Sequence, residues 1–266
     1  MAITTMNGLV AALAASQIAP YYKAAATTRG AGYYHSLWRI AGAPTSGGLP
    51  PPESGEAPTS TTEGAMPLVN AGGGNQLYVG RMSINSGSTG TFMIYDRLVH
   101  TSGLVANTTG EQTVNSTALT RYTTGVGVQI WLEWYAATGG TGTPTATVSY
   151  TNQAGTAGKS TVSPPWVTGM LVGQMLPVPL AAGDTGVRSV QTVTLSGITN
   201  GAGNFGIVLL KPLFDIPIIT ANAGVYQDAF ACGMPQVANS ACLSLMMLAS
   251  TASMLPIAGQ LNIIEG

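Results

Sequence analysis

Charge is what this chain has least of. Asp, Glu, Lys and Arg make up 7% of its 266 residues, where about 25% is usual for a soluble domain. Nine basic residues stand against ten acidic ones and leave a net charge of −1. Lys23, Arg29, Arg39, Arg81, Arg97, Arg121, Lys159, Arg188 and Lys211 are scattered along the chain. That excludes a nucleic-acid binder, because displacing counterions from phosphates takes a concentrated basic patch. The charged flanking positions of a coiled coil are missing as well. Disorder is excluded from the opposite side, since the chain is 45% hydrophobic with a mean hydropathy of +0.27, far from the polar, highly charged composition of unfolded segments.

Histidine and cysteine are equally sparse. His35 and His100 lie far in sequence from Cys232 and Cys242, so no zinc site and no other metal site is expected. Two free thiols in apolar surroundings are favoured over a disulfide that spacing alone does not support. No basic residue precedes Lys23, so the apolar N-terminal run lacks the charged start of a signal peptide and is expected in the mature protein. Ala229 to Leu261 is uncharged, but Pro235, Pro256 and several Ser and Thr residues interrupt it, so no membrane span is expected. No cofactor motif is found.

What the chain does have is glycine (35), proline (16) and many hydroxyl side chains. A free monomer normally keeps itself soluble with charge. A chain with so little must cover itself with Thr, Ser, Asn, Gln and Gly, or bury its surface against neighbours. The second option is what a subunit of an assembly does.

Residues 5–19 are rich in helix formers, with Thr5 or Asn7 as candidate caps and Pro20 as the stop. Tyr21, Tyr22, Tyr33, Tyr34 and Trp38 follow and form the candidate interaction surface, because Tyr and Trp are enriched in interface cores. The alternative is that they pin the N-terminal segment to its own domain. Residues 42–67, with Pro50-Pro51-Pro52 and three of the ten acids (Glu53, Glu56, Glu63), read as an extended arm whose composition argues against burial. The division is therefore 1–66, helix and arm, and 67–266, a β-domain with a C-terminal extension.

Strands are expected over Gln76–Ile84, Gly90–Val99, Val126–Tyr135, Thr143–Thr151, Thr156–Val162, Met170–Leu176, Val187–Ile198 and Phe205–Leu210. In Val126–Tyr135 the strict alternation puts Val126, Val128, Ile130, Leu132 and Trp134 on one face. In Thr143–Thr151 the odd positions are all hydroxyl residues. A Gly-rich Thr138–Gly142 turn between these two runs predicts a hairpin with one buried and one wetted face. Eight strands with Gly-rich turns suit an all-β, jelly-roll-like antiparallel β-sandwich. Beyond 214, strands are expected at Ile216–Thr220 and Gln260–Ile264, with Ser240–Ala249 either a helix or a buried strand.

The motifs that suggest chemistry have plainer readings. Ala154 to Ser160 lacks the first Gly of a phosphate loop and is followed by prolines rather than a helix, so a turn between strands is expected. Asp184-Thr185-Gly186 matches the aspartic-protease tripeptide, but a surface turn is the simpler reading. Asp96 with His100 suggests an acid–base pair without further support. Glu133 with Asp96 or Glu111 would be the carboxylate pair of a carbohydrate-active enzyme, the second functional alternative. Asn107-Thr108-Thr109 and Asn115-Ser116-Thr117 are glycosylation sequons of consequence only in a secreted eukaryotic protein.

The run Val148-Ser149-Tyr150-Thr151-Asn152-Gln153, its Gly-containing turn, then Lys159-Ser160-Thr161, resembles virion structural proteins of tailed bacteriophages. The Trp131–Tyr135 strand and the Gly/Thr loop after it fit the same style. The resemblance covers about a third of the chain. It implies a β-rich, non-enzymatic capsid- or tail-associated subunit, located in the virion. Its partners would be copies of itself, as a trimer or other symmetric oligomer, and the major capsid protein or other virion subunits. A decoration or cement role is the first reading, and a tail, neck, baseplate or receptor-binding role the alternative.

Overall fold

The computed structural model describes residues 3–24, 31–114, 117–251 and 253–266; Asn115 and Ser116 of the second sequon lie outside them. One helix opens the chain. α1 (Met6–Ala14) is capped by Thr5, whose Oγ1 accepts from Gly8 N–H at 3.0 Å. It ends earlier than expected, and Pro20 does not stop it. Pro20 instead lies inside β1 (Gln17–Lys23). Proline is tolerated there because β1 has a second neighbour only at Tyr22 and Lys23, so its missing N–H faces an open edge.

The strands form three sheets that pack as layers. The middle layer is a closed six-stranded barrel in the order β10 (Gln174–Val178), β2 (Tyr34–Ser36), β15 (Leu243–Ala249), β5 (Gly90–His100), β12 (Asn204–Ile218) and β7 (Gln129–Ala136). On one side lies the first flanking sheet, β13 (Gly224–Gln227), β4 (Leu77–Ser86), β16 (Ile257–Glu265), β1 and β3 (Gly42–Ala43), with β14 (Gln236–Val237) also on β4. On the other side lies the second, β6 (Gln112–Thr113), β11 (Val187–Leu195), β8 (Ala146–Asn152) and β9 (Lys159–Val162). The protein is thus an all-β antiparallel sandwich with a short N-terminal helix. Its layers number three because the middle sheet closes on itself.

The layering follows from alternation along the barrel strands. On β7, Ile130, Leu132 and Trp134 point to the second flanking sheet, where with Phe205, Ile207 and Leu209 of β12 they meet Val148, Tyr150, Val190 and Val193. Trp134, Trp166 and Phe205 form the centre of that core, with the two indoles edge-on at 5.0 Å. On β5 and β15, Phe92, Ile94, Leu243, Leu245 and Met247 point the other way, onto Val79, Met82, Ile84, Leu261 and Ile263. The remaining positions, among them Tyr95, Trp131, Met175, Val208, Leu210 and Met246, form the barrel's own interior cluster.

Three expectations are corrected. Residues 126–151 are not a hairpin: β7 pairs with β10 and β12, and β8 with β11 and β9. The connection after Ala136 carries the chain out of the barrel and into the flanking layer. Nor is the second face of β7 wetted, since Trp131, Glu133 and Tyr135 are all buried. The arm is also more buried than its composition suggested. It is irregular but crosses the barrel end with backbone bonds from Glu56 to His100 in both directions, from Ser60 to Ser240 and from Met66 to Leu243, and Met66 is wholly buried. In the C-terminal segment Ser240–Ala249 resolves as a strand rather than a helix: Leu243–Ala249 completes the barrel, and β16 lies between β4 and β1.

Candidate functional site

Two features stand out: an ionic lattice at one end of the barrel, and the outer faces of the flanking sheets. The lattice begins with Asp96 and Arg97, adjacent on β5 and directed to opposite sides of it. Arg97 donates through Nη2 to Glu133 Oε2 on β7 and to Tyr135 Oη (3.1 Å), and Tyr135 Oη donates to the same Glu133 oxygen at 3.0 Å. Arg97 Nε donates to His100 Nδ1 at 2.7 Å, which leaves His100 Nε2–H to donate to Glu56 Oε1 of the arm at 2.5 Å. The Arg97 guanidinium also lies over the Trp38 ring, 4.8 Å from its centroid. Asp96 takes a two-pronged bond from Arg121 Nε and Nη2, both at 2.8 Å, and a third from Cys242 N–H at 2.9 Å. Arg121 Nη2 also reaches the Pro58 carbonyl of the arm at 2.9 Å.

The electrostatics follow from burial. Arg97 and Asp96 are fully buried and Glu133 nearly so. Burial works against the Arg97 charge, and Glu133 more than restores it. Burial pushes the Asp96 carboxyl up against the pull of Arg121, and it pushes the Tyr95 phenol up to about 12. His100 is driven down to about 2 by burial and then by Arg97. It is therefore neutral, with its tautomer set by the Arg97 bond.

This geometry bears on the carboxylates considered above. Glu133 and Asp96 are each sealed by an arginine, whereas Glu111 is exposed on a loop. Asp96 and His100 share no bond; they belong to the two halves of the lattice. Asp184 accepts from Tyr150 Oη (2.6 Å) and Asn152 Nδ2 (2.7 Å), which fastens the turn joining β8 to β9. The Tyr150 bond holds its carboxyl below the usual range. The Gly-rich 154–158 segment is that turn. Among the described residues no cluster of three or more His, Cys, Asp or Glu could hold a metal, both cysteines are free, and no helix is long and apolar enough to cross a membrane.

The aromatic candidates do not share one surface. Tyr21 is buried, stacked on Phe92 and bonded to the Ser83 carbonyl at 2.8 Å. Trp38 is buried against Arg97 and His100. Tyr33 and Tyr34 are half-buried, Tyr34 standing edge-on to Trp131 at 4.8 Å beside a groove of about 600 Å³ that Met93, Pro177 and Asp184 also line. Only Tyr22 is exposed, on the outer face of the first flanking sheet.

The outer faces themselves are almost without charge. On the second flanking sheet, Thr147, Ser149 and Thr151 of β8 look outward beside Thr192 and Thr194 of β11 and Ser160 of β9, as the alternation of hydroxyl residues predicted. On the first, Ile18, Pro20 and Tyr22 of β1 continue through Gln260 and Ser83 to Tyr226 of β13. The lattice residues Arg97, Arg121 and Glu56 were not singled out from the sequence. The signal was there: Asp96-Arg97 sits in the apolar run Phe92–Val99, where a chain this poor in charge keeps two ions side by side.

No known protein family matches the sequence, and no curated protein does. Among solved structures, the chain is similar to VP2 of infectious bursal disease virus in a subviral particle, with 9% identity, 94% of this chain and 80% of that chain covered, and a TM-score of 0.21. Infectious bursal disease virus of the Gx strain gives 10% identity, 94% and 81% coverage, and a TM-score of 0.22. At these TM-scores the likeness carries no argument about fold or activity.

Proposed function

We propose that this chain is a structural, non-enzymatic subunit of a virus particle, associating with copies of itself and with other virion subunits. The observation that carries the reading is the placement of charge. Of nineteen charged residues, Lys23, Asp96, Arg97, Arg121 and Glu133 are buried, while the broad outer faces carry mainly hydroxyl, amide and apolar groups, with Arg81 of β4 and Arg188 of β11 as exposed charges on the flanking strands. Such faces can be covered by a neighbour without stripping water from unpaired ions, which is the costly step in burying charge.

The finer reading is a tailed-bacteriophage protein that coats or cements the capsid, supported by the resemblance at residues 148–161. The mechanism is passive. Each copy contributes modest contacts, and simultaneous engagement of many copies turns them into a stable shell. The test is location and copy number in purified particles, by electron microscopy and quantitative mass spectrometry. Hundreds of copies on the head support decoration. A dozen or fewer at the tail would move the chain to a tail or receptor-binding role, and absence from particles would end the virion reading.

A further inference from the structure

The flanking sheets have four edges, and three are guarded. β3 and β6 are two residues long, and beside β3 the edge of β1 carries Pro20. That edge is also covered at Gln17, whose Nε2 donates to the Val69 carbonyl and whose Oε1 accepts from Val69 N–H, both at 2.8 Å. β9 opens on Lys159 and is followed by Pro164 and Pro165. Short edges, edge lysines and prolines are the devices that stop sheets from pairing edge to edge.

β13 is as short as β9, at four residues, but no lysine or proline lies within it or at its start, and Asp228 is the first charge after it. It reads Gly224-Val225-Tyr226-Gln227 and ends its sheet beside β4. No charged residue occurs from Ile216 to Gln227. Tyr226 is 73% exposed, and Ile219 and Phe230, which flank the strand in the chain, are 85% and 66% exposed.

We infer that β13 pairs antiparallel with β13 of a second copy of this chain across a two-fold axis at Tyr226, so that one sheet runs through both molecules. The inference rests on the self-association proposed above and names its contact. An edge strand offers a row of unpaired N–H and C=O groups, and an antiparallel partner of the same sequence satisfies them reciprocally. A two-fold axis normal to the sheet keeps outer face with outer face. It sets Tyr226 against Tyr226 of the second copy, an aromatic cross-strand pair, and Val225 against Gln227. Self-pairing sets each central side chain near its own copy, so a charge there would repel itself; this strand has none. Four residues give few hydrogen bonds, so the contact is weak alone and gains strength by repetition in an assembly.

The test uses the full chain in sedimentation-velocity and light-scattering measurements. Tyr226→Asp, at an exposed position, is expected to keep the native circular dichroism spectrum and weaken dimerisation roughly tenfold or more, as loss of a central aromatic contact does. Val126→Asp, at another exposed site, leaves dimerisation unchanged. Tyr226→Cys in a Cys232→Ser background forms a disulfide-linked dimer under mild oxidation, because opposed Cβ atoms of an antiparallel pair lie about 4.5–5.5 Å apart. An associating wild-type chain whose mass is unaltered by Tyr226→Asp, with no cross-link from Tyr226→Cys, overturns this contact and leaves the structural-subunit reading standing. A wild-type chain that stays monomeric at every concentration tested, with no cross-link from Tyr226→Cys, also overturns this contact, while location and copy number in particles decide the structural-subunit reading separately.

Discussion

The end of the barrel and the outer faces of its flanking sheets divide the polar chemistry of this protein in an unusual way. The barrel end holds two arginine–carboxylate pairs, a neutral histidine and buried phenols. The outer faces hold Thr, Ser, Gln and a few exposed Tyr and Ile residues. An ordinary domain does the reverse. The comparison shows that part of this scarce charge serves as internal wiring: it ties β5 to β7, and both to the arm, through Glu56 and the Pro58 carbonyl.

The largest effect is expected from breaking a single strand of that wiring. Arg97→Met strands the buried Glu133 carboxylate and should cost about 3–5 kcal/mol, whereas the double change Arg97→Met, Glu133→Leu should recover most of the loss. Urea denaturation of the three proteins measures both. If the single change is as mild as a surface substitution, the contrast between inside and outside collapses.

His100 gives the next effect. Its ring stays neutral in the folded chain down to about pH 2, while in the unfolded chain it takes a proton below about pH 6.5. The unfolded state therefore binds the extra proton, and stability falls as pH drops below about 6.5, by up to ~1.4 kcal/mol per pH unit. His100→Gln should remove that component. The difference between the two proteins' stability–pH curves isolates it, because the carboxylates contribute to both.

Lys23 sharpens the comparison by being the exception, a buried cation without a carboxylate. Among the described residues its Nζ donates to the Pro44 and Ile40 carbonyls, at 2.8 and 3.2 Å, and burial lowers it to about 8. Between pH 8 and about 10.4 the unfolded chain holds a proton that the folded chain has lost, so stability should rise with pH across that window. Lys23→Met should flatten the rise and raise stability at pH 7 by roughly 1 kcal/mol, the relieved burial penalty less two hydrogen bonds. The smallest effect belongs to the outside. Thr147→Lys should change stability by less than about 0.5 kcal/mol yet reduce self-association in sedimentation, if that face is covered in the assembly.

Much of the fold was legible because period-two patterns are local. The outward hydroxyls of β8 and most strands from Leu77 to Leu195 lie close to where alternation put them, whereas Phe205–Leu210 and Ile216–Thr220, expected as two strands, are the single β12, and Met170–Leu176 is strand only from Gln174. What stayed hidden was partnership. Nothing in Val126–Thr151 says that β7 closes a barrel while β8 leaves it, and Glu133 and Tyr135 look like solvent-facing residues until Arg97, 36 positions upstream of Glu133, is brought onto them. The arm was misjudged for a related reason. Its hold on the barrel comes from backbone carbonyls and amides at Glu56, Pro58 and Met66, which composition does not register. Tyr21 and Trp38, weighed by residue type both as interface candidates and as pins on their own domain, are held by Phe92 and Arg97, contacts that only the tertiary structure supplies.

β16 lies between β4 and β1, with its register running from Ile257 opposite Ser86 to Gln17 opposite Ile263. A strand synthesised some 170 residues after β4 is therefore the keystone between two that precede it. On the ribosome, β1 and β4 must wait for it, so the first flanking sheet closes only after some 170 further residues have been made. The order of synthesis thus sets the order of folding in this layer, with its middle strand arriving last.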